Sequence, residues 1–158
     1  MPPCLGLISD THGLLRPEAI AALKGCEQIL HAGDVGGPEI LEALEAIAPV
    51  TAIRGNNDRA AWAEDLPLRA DVIWQGVRIL VVHDVKDLAG EDIEADVVVS
   101  GHSHRPAIEA RSGILYVNPG SAGPRRFRLP ISIARLSMTA RGPRARLKTL
   151  ELGEAARS

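Results

Sequence analysis

Apolar residues along the chain come in short runs, and in the first half each run opens onto a polar residue that could bind a metal or a proton. Leu5 to Ser9 predicts a first strand that ends on Asp10. Pro17 to Lys24 predicts a helix, with Pro17 suited to its first position and Gly25 to a left-handed exit. Gln28 to His31 predicts a second strand, opening into Ala32-Gly33-Asp34. From Pro38, the apolar residues Ile40, Leu41, Leu44 and Ile47 recur at helical spacing until Pro49 stops them. Val50 to Ile53 predicts a third strand, opening into Gly55-Asn56-Asn57-Asp58.

Strand, helix, strand, helix, strand argues for parallel pairing, and in such sheets sites form beyond the carboxyl ends of the strands. The pattern then changes. Val72 to Trp74 and Val77 to Val82 flank Gln75-Gly76, a hairpin signal, and the second run ends on His83. Asp87 to Ile93 reads as weakly helical. Asp96 to Val99 is a buried-type strand that opens into Ser100-Gly101-His102-Ser103-His104. Ala107 to Ala110 and Ile114 to Val117 predict a second hairpin, and Asn118-Pro119-Gly120-Ser121 a tight turn. Ile131 to Leu136 and Ala145 to Leu152 predict a third hairpin around Arg141-Gly142-Pro143, and Gly153 to Ser158 is expected to fray. An alternating first half and a strand-rich second half are both satisfied by an α/β architecture: two mixed β-sheets packed face to face as a sandwich, flanked by helices.

Composition narrows the setting. At 158 residues the chain suits a single domain over 1–158, long enough to fold without a disulfide. Its net charge of −2 does not suggest a general nucleic-acid or membrane binder. No apolar run approaches the ~20 residues of a membrane span. Met1-Pro2-Pro3-Cys4 lacks the features of a signal peptide, so a cytoplasmic location is expected. Cys4 and Cys26 read as small buried thiols, since their spacing matches no zinc pattern.

The candidate ligands are Asp10, His12, Asp34, Asn56, His83, His102 and His104: four imidazoles, three oxygen donors and no thiolate. His102 and His104 stand at i and i+2, so in an extended segment they leave one face. A mixed nitrogen and oxygen set suits divalent transition ions, manganese first, with iron, zinc, nickel or cobalt also fitting. Seven ligands exceed the needs of one ion with an open position; they suit two, with one carboxylate bridging. Two ions ~3.5–4 Å apart lower the pKa of a bridging water and neutralise phosphate oxygens, so a bridging hydroxide can attack a phosphate ester. The neutral amide of Asn56 keeps such a site from becoming too negative for an anionic substrate.

With these residues in place, the sequence resembles the calcineurin-like metallophosphoesterases, in their small single-domain bacterial and archaeal phosphodiesterase branch, which the retromer small subunit also resembles. The motifs are Asp10-Thr11-His12, Gly33-Asp34, Gly55-Asn56-Asn57-Asp58, His83 and Gly101-His102-Ser103-His104, with His31 and Asn118-Pro119-Gly120-Ser121 also in the manner of that branch. The resemblance implies a four-layer α/β/β/α sandwich and a binuclear centre. Asp10, His12 and His104 would hold one ion, Asn56, His83 and His102 the other, and Asp34 would bridge; His31 would serve as support. Two positions depart from the family pattern. Asn57 stands where many members carry histidine or cysteine, and an amide is no general acid near neutral pH. Asp84 stands where glycine is usual, free to hold His83, add charge or face solvent. Asn57 and Asp58 are the candidate catalytic residues, with Asp58 able to orient Asn57; Asn56 and Arg125 are the candidate substrate contacts.

From Arg125 to Lys148 the chain carries Arg125, Arg126, Arg128, Arg135, Arg141, Arg144, Arg146 and Lys148 and no acidic residue. Solvated hairpin arginines account for this run, with a phosphate-rich partner or a subunit contact as the sharper alternative, and Phe127 alone makes no stacking platform for single strands. The expected function is hydrolysis of a small phosphodiester, nucleotide diesters included. A phosphomonoesterase on the same site and a non-catalytic scaffold on the same fold are the alternatives. No membrane partner is expected, and a homo-oligomer is compatible with the sequence.

Overall fold

The computed structural model describes residues 3–125 and 128–152; Met1, Pro2, Arg126, Phe127 and Gly153 to Ser158, which carry some of the expectations above, lie outside the described residues. The first half follows the alternation in its sequence: β1 (Cys4–Ile8), α1 (Pro17–Leu23), β2 (Gln28–His31), α2 (Pro38–Glu45) and β3 (Val50–Ala52). β1 pairs with β2, and β2 with β3, both in parallel, as helical crossovers require. The second half supplies β4 (Arg69–Trp74), β5 (Val77–Val82), β6 (Val97–Val99), β7 (Ala107–Arg111), β8 (Ile114–Asn118), β9 (Ser132–Thr139) and β10 (Gly142–Thr149). β9 and β10 return to the first sheet on the free side of β1, giving the order β10-β9-β1-β2-β3; the second sheet runs β4-β5-β6-β8-β7. Both sheets are mixed: β1–β9 is antiparallel, and β5–β6 and β6–β8 are parallel within the second sheet.

The sheets face each other across an apolar core that joins Leu5, Leu7 and Leu30 of one to Val81, Val97 and Val99 of the other. Ile8, one residue further along β1, points the other way and packs with Ala19, Leu23, Ile40 and Leu44 beneath α1 and α2. β1 is therefore buried on both faces, which is why its sequence is continuously apolar and not alternating. The far face of the second sheet has a thinner cover: Leu80, Val98 and Tyr116 lie under Val85 and Leu88. Among the described residues the architecture is thus two mixed sheets with both α-helices on one side and a short 3-10 turn on the other.

Two local expectations shift. The helical segment expected over Asp87 to Ile93 is a 3-10 turn at Val85–Leu88. Asp84 Oδ1 accepts from the Lys86 N–H and starts it early, and Gly90 at φ 80° lies just past its end. The third hairpin turns at Ala140-Arg141, with Thr139 Oγ1 taking the Arg141 N–H, while Gly142 and Pro143 already belong to β10. Proline is tolerated there because β10 is an edge strand. Cys4 and Cys26 are free buried thiols, 3.4 Å apart, and burial followed by the neighbouring thiol pushes Cys26 up to about 12.

The loops after β1 and β2 run side by side: His12 N–H donates to Asp34 O at 2.9 Å and Gly13 N–H to Val35 O at 2.9 Å. Such close approach needs glycine. Gly36 (φ 97°) lies against Gly13, and a Cβ there would land on the Gly13 backbone nitrogen, whereas a Cβ at Gly90 would meet nothing within 4 Å. Gly36→Ala is expected to cost more than about 3 kcal/mol and Gly90→Ala about 1 kcal/mol, because only the first adds a backbone collision to left-handed strain. Urea unfolding of the two variants checks this; equal losses would contradict it.

Candidate metal centre

The carboxyl ends of β1, β2 and β3 in one sheet meet those of β5 and β6 in the other, and the structure brings Asp10, His12, Asp34, Asn56, His83, His102 and His104 together there. They form two groups. In the first, Asp10 Oδ1 lies 3.7 Å from His12 Nε2 and 3.5 Å from His104 Nε2, and the two imidazole nitrogens are 3.3 Å apart. In the second, Asn56 Oδ1 lies 2.8 Å from His83 Nε2 and 3.2 Å from His102 Nδ1, with 3.3 Å between those nitrogens. Asp34 Oδ2 faces both groups, 3.6 Å from His12 Nε2 and 3.3 Å from His83 Nε2.

Ligand atoms bound ~2.0–2.2 Å from one ion sit roughly 3–3.5 Å from each other, close to the 3.3–3.7 Å of the first group and the 2.8–3.3 Å of the second. Among the described residues, Asp10 Oδ1 is buried, accepts no hydrogen bond, and faces His12, His83 and His104. A buried carboxylate oxygen left unmatched is costly unless a cation meets it. Its partner Oδ2 is satisfied by Ser9 Oγ at 2.7 Å and the His102 N–H at 3.0 Å, so the carboxylate is held with its free oxygen turned inward. On chemistry and spacing, these residues fit a pair of divalent ions.

The imidazoles are aimed by their second nitrogens. His83 Nδ1 donates to Ala32 O at 2.8 Å, which turns Nε2 toward Asp34 and Asn56. His102 presents Nδ1 to Asn56 and His83, while its Nε2 lies 3.7 Å from Asp84 Oδ2. The unusual Asp84 therefore stands behind His102. Burial works against the charged form of His83, yet Asp34, the Ala32 carbonyl and Asp10 overcome it and raise the group to about 9. Burial likewise pushes Asp34 and Asp10 up; His83 and the Asn57 N–H for Asp34, and His12 and Ser9 for Asp10, hold both below the usual carboxylate range.

The loops that carry these side chains are strained. Asp10, His12, Asp34, His102 and His104 all have positive φ, between 47° and 68°, which costs a non-glycine residue about 1–3 kcal/mol. Buried polar braces hold them. Burial, the largest influence, drives His31 down to about 4, so it is neutral; its Nδ1 accepts the Gly33 N–H at 3.1 Å, which places the proton on Nε2, 3.0 Å from Thr11 Oγ1. The Thr11 hydroxyl passes its own proton on to Val35 O at 2.7 Å. Ser121 Oγ donates to Asp10 O at 3.0 Å. No spacing in the sequence marks Thr11 or Ser121 as braces, because each bonds across the fold.

The remaining candidates take different places. Asn57 is pinned to Asp34, its N–H on Oδ1 at 2.9 Å and its Nδ2 on Oδ2 at 3.1 Å. Asp58 does not orient Asn57: its buried carboxylate accepts the N–H groups of Val35, Gly36 and Gly55 at 3.0–3.1 Å and clamps the loop after β2 to the loop after β3. Its oxygens are spent on these backbone groups. Arg125 is exposed.

Residues 4–141 match the calcineurin-like phosphoesterase superfamily domain. A probable metallophosphoesterase of Methanothermobacter thermautotrophicus is 39% identical, over 74% of this chain and 76% of its own length. The phosphodiesterase YfcE of Escherichia coli is 33% identical, over 72% of this chain and 76% of its own. In fold, the crystal structure of Chaetomium thermophilum Vps29 superposes with a TM-score of 0.80 at 20% identity, covering 97% of this chain and 91% of that one.

Because the metal-free His83 is raised to about 9, it is protonated at neutral pH and its Nε2 must lose that proton to bind an ion. Calorimetry of manganese binding at pH 7.5 in buffers of differing ionisation enthalpy is expected to show about one proton released, with affinity falling as pH drops below 9. His83→Asn should abolish that release; an unchanged proton count would contradict the assignment.

Proposed function

The chain belongs to the calcineurin-like phosphoesterase superfamily, and from that membership we propose that it is a metal-dependent phosphodiesterase acting on small phosphodiesters, nucleotide diesters among them. The observation that carries this reading is the shared oxygen: Asp34 Oδ2 stands 3.6 Å from one group of ligand atoms and 3.3 Å from the other, as a bridging carboxylate would. Asp10, His12 and His104 would hold one divalent ion, and Asn56, His83 and His102 the second, manganese being the first choice for such a nitrogen and oxygen set. Bound there, the pair would lend positive charge to phosphate oxygens and bring a water molecule to hydroxide near neutral pH.

The chain's own residues do the rest. Asp10 and Asp34 bring carboxylate charge inward, and neutral Asn56 limits it, so an anionic diester is not repelled. Asn57 spends its amide on Asp34 and has no proton to give a departing alkoxide. Leaving groups stable as anions are therefore favoured. Hydrolysis forms one P–O bond to the water oxygen and breaks the P–O bond to the leaving alcohol, which departs with the bonding pair. Arg125, exposed two residues past the Gly123 that packs on Thr11, is assigned to the substrate from the open side. The reduced pair Cys4 and Cys26 suits a cytoplasmic setting.

A metal-by-substrate screen on stripped protein tests the reading. Manganese is expected to restore hydrolysis of bis(p-nitrophenyl) phosphate above that of p-nitrophenyl phosphate, and aryl diesters should exceed alkyl ones by about 100-fold or more, the scale of a missing general acid. Asp34→Asn and His102→Ala should each lose about 100-fold or more. If no divalent ion restores cleavage of any activated diester, a non-catalytic scaffold on this fold replaces the enzyme.

A further inference from the structure

Beside the second group of ligands opens a cleft of about 430 Å³, bounded at its inner end by Asn56, His83 and His102. Its volume falls within the range of small-ligand sites. Its remaining walls carry Leu68, which is 64% exposed, and the charged residues Arg54, Arg69, Asp84 and Asp87. Arg69 and Asp84 have side-chain partners inside the protein. Arg69 makes two bonds to Glu91, at 2.8 and 2.6 Å, and lies in the field of Asp87. Asp84 stands 3.7 Å from His102 and takes the Lys86 N–H. Arg54 differs. Its backbone N–H is tied to Pro67 O at 2.8 Å, fixing where the side chain starts, but among the described residues its guanidinium has no hydrogen bond or ion pair.

Arg54 is a half-buried residue whose guanidinium lacks a partner among the described residues, and the group that meets a guanidinium best is a phosphate or carboxylate, through two parallel N–H bonds. Arg54 lies two residues before Asn56, so the cleft leads from the metal-binding atoms to this unmatched cation. We infer that Arg54 is a specificity residue that reads a second phosphate, so that the preferred substrate is a phosphodiester whose retained alcohol, lying along Leu68, itself carries a phosphate. The inference rests on the phosphodiesterase reading for its reaction but not for its binding.

Thymidine 5′-(p-nitrophenyl phosphate), with and without a 3′-phosphate, separates the cases, since the leaving group is the same. The wild type is expected to favour the 3′-phosphorylated ester in kcat/KM by about 10- to 100-fold, the scale of a charge-assisted pair. Arg54→Met should bring that ratio close to one, and Arg54→Lys should keep part of it. A ratio taken on one protein sample is independent of its folded fraction. Calorimetric binding of thymidine 3′,5′-bisphosphate against thymidine 5′-monophosphate provides a readout without turnover, with the same selective loss expected in Arg54→Met. No preference in the wild type, or an unchanged ratio in Arg54→Met, overturns the role of Arg54. Absent hydrolysis with selective bisphosphate binding would overturn the phosphodiesterase reading and leave Arg54 standing.

Discussion

The carboxylate of Asp10 joins the two sheets at their common end. One oxygen is tied down by Ser9 beside it and by the His102 backbone of the opposite sheet; the other is buried, unbonded, and turned toward three imidazoles. In a protein interior that arrangement is stable only if positive charge sits among the ligands. Without metal, protons supply it, which is why His83 is raised to about 9 while both carboxylates are lowered. Divalent ions would supply it more strongly and release the His83 proton. The pairing of buried carboxylates with a charge they do not themselves carry is what makes this end of the sandwich a site.

The same demand explains the surrounding backbone. Ligand atoms 3.3–3.7 Å apart can come from separate strands only if the loops turn sharply, and five of the seven candidate ligands do so in the left-handed region. Such strain persists only where the surroundings over-determine it. Here the surroundings are buried and polar: Asp58 clamps three backbone N–H groups, neutral His31 joins two loops through Thr11, and Ser121 holds the Asp10 carbonyl. Glycine does the complementary work: a Cβ at Gly33 or Gly55 would collide with the other loop's backbone. The helices and cores behind can be ordinary because the precision is built into these loops.

The two departures from the family pattern have different consequences. Asn57 keeps a positioning role, its amide and N–H both on Asp34, and gives up acid catalysis. Asp84 lies behind the outer nitrogen of His102 and also starts the 3-10 turn that covers the second sheet. One carboxylate thus links the aim of a ligand to the packing of a sheet face, a link that glycine could not make.

Much was legible in the sequence. Apolar runs ending on Asp10, Asp34 and His83 fixed strand positions and their polar exits, because period and turn chemistry are local properties. The mixed donor set pointed to a metal centre, and the motifs to the superfamily. What depended on the fold was every relation between distant residues. Asp58 looked like a partner of its neighbour Asn57 and instead clamps the loop after β2, a choice that only the crossing of two loops decides. Arg54, unremarked in the sequence, lines the cleft beside Asn56. The third hairpin moved because an edge strand can absorb a proline, and edge position is set by strand order, not by the strand's own residues. Residue type and spacing settle which groups are available; only packing settles which of them meet, since the charges and hydrogen bonds that matter here span the chain and act through space.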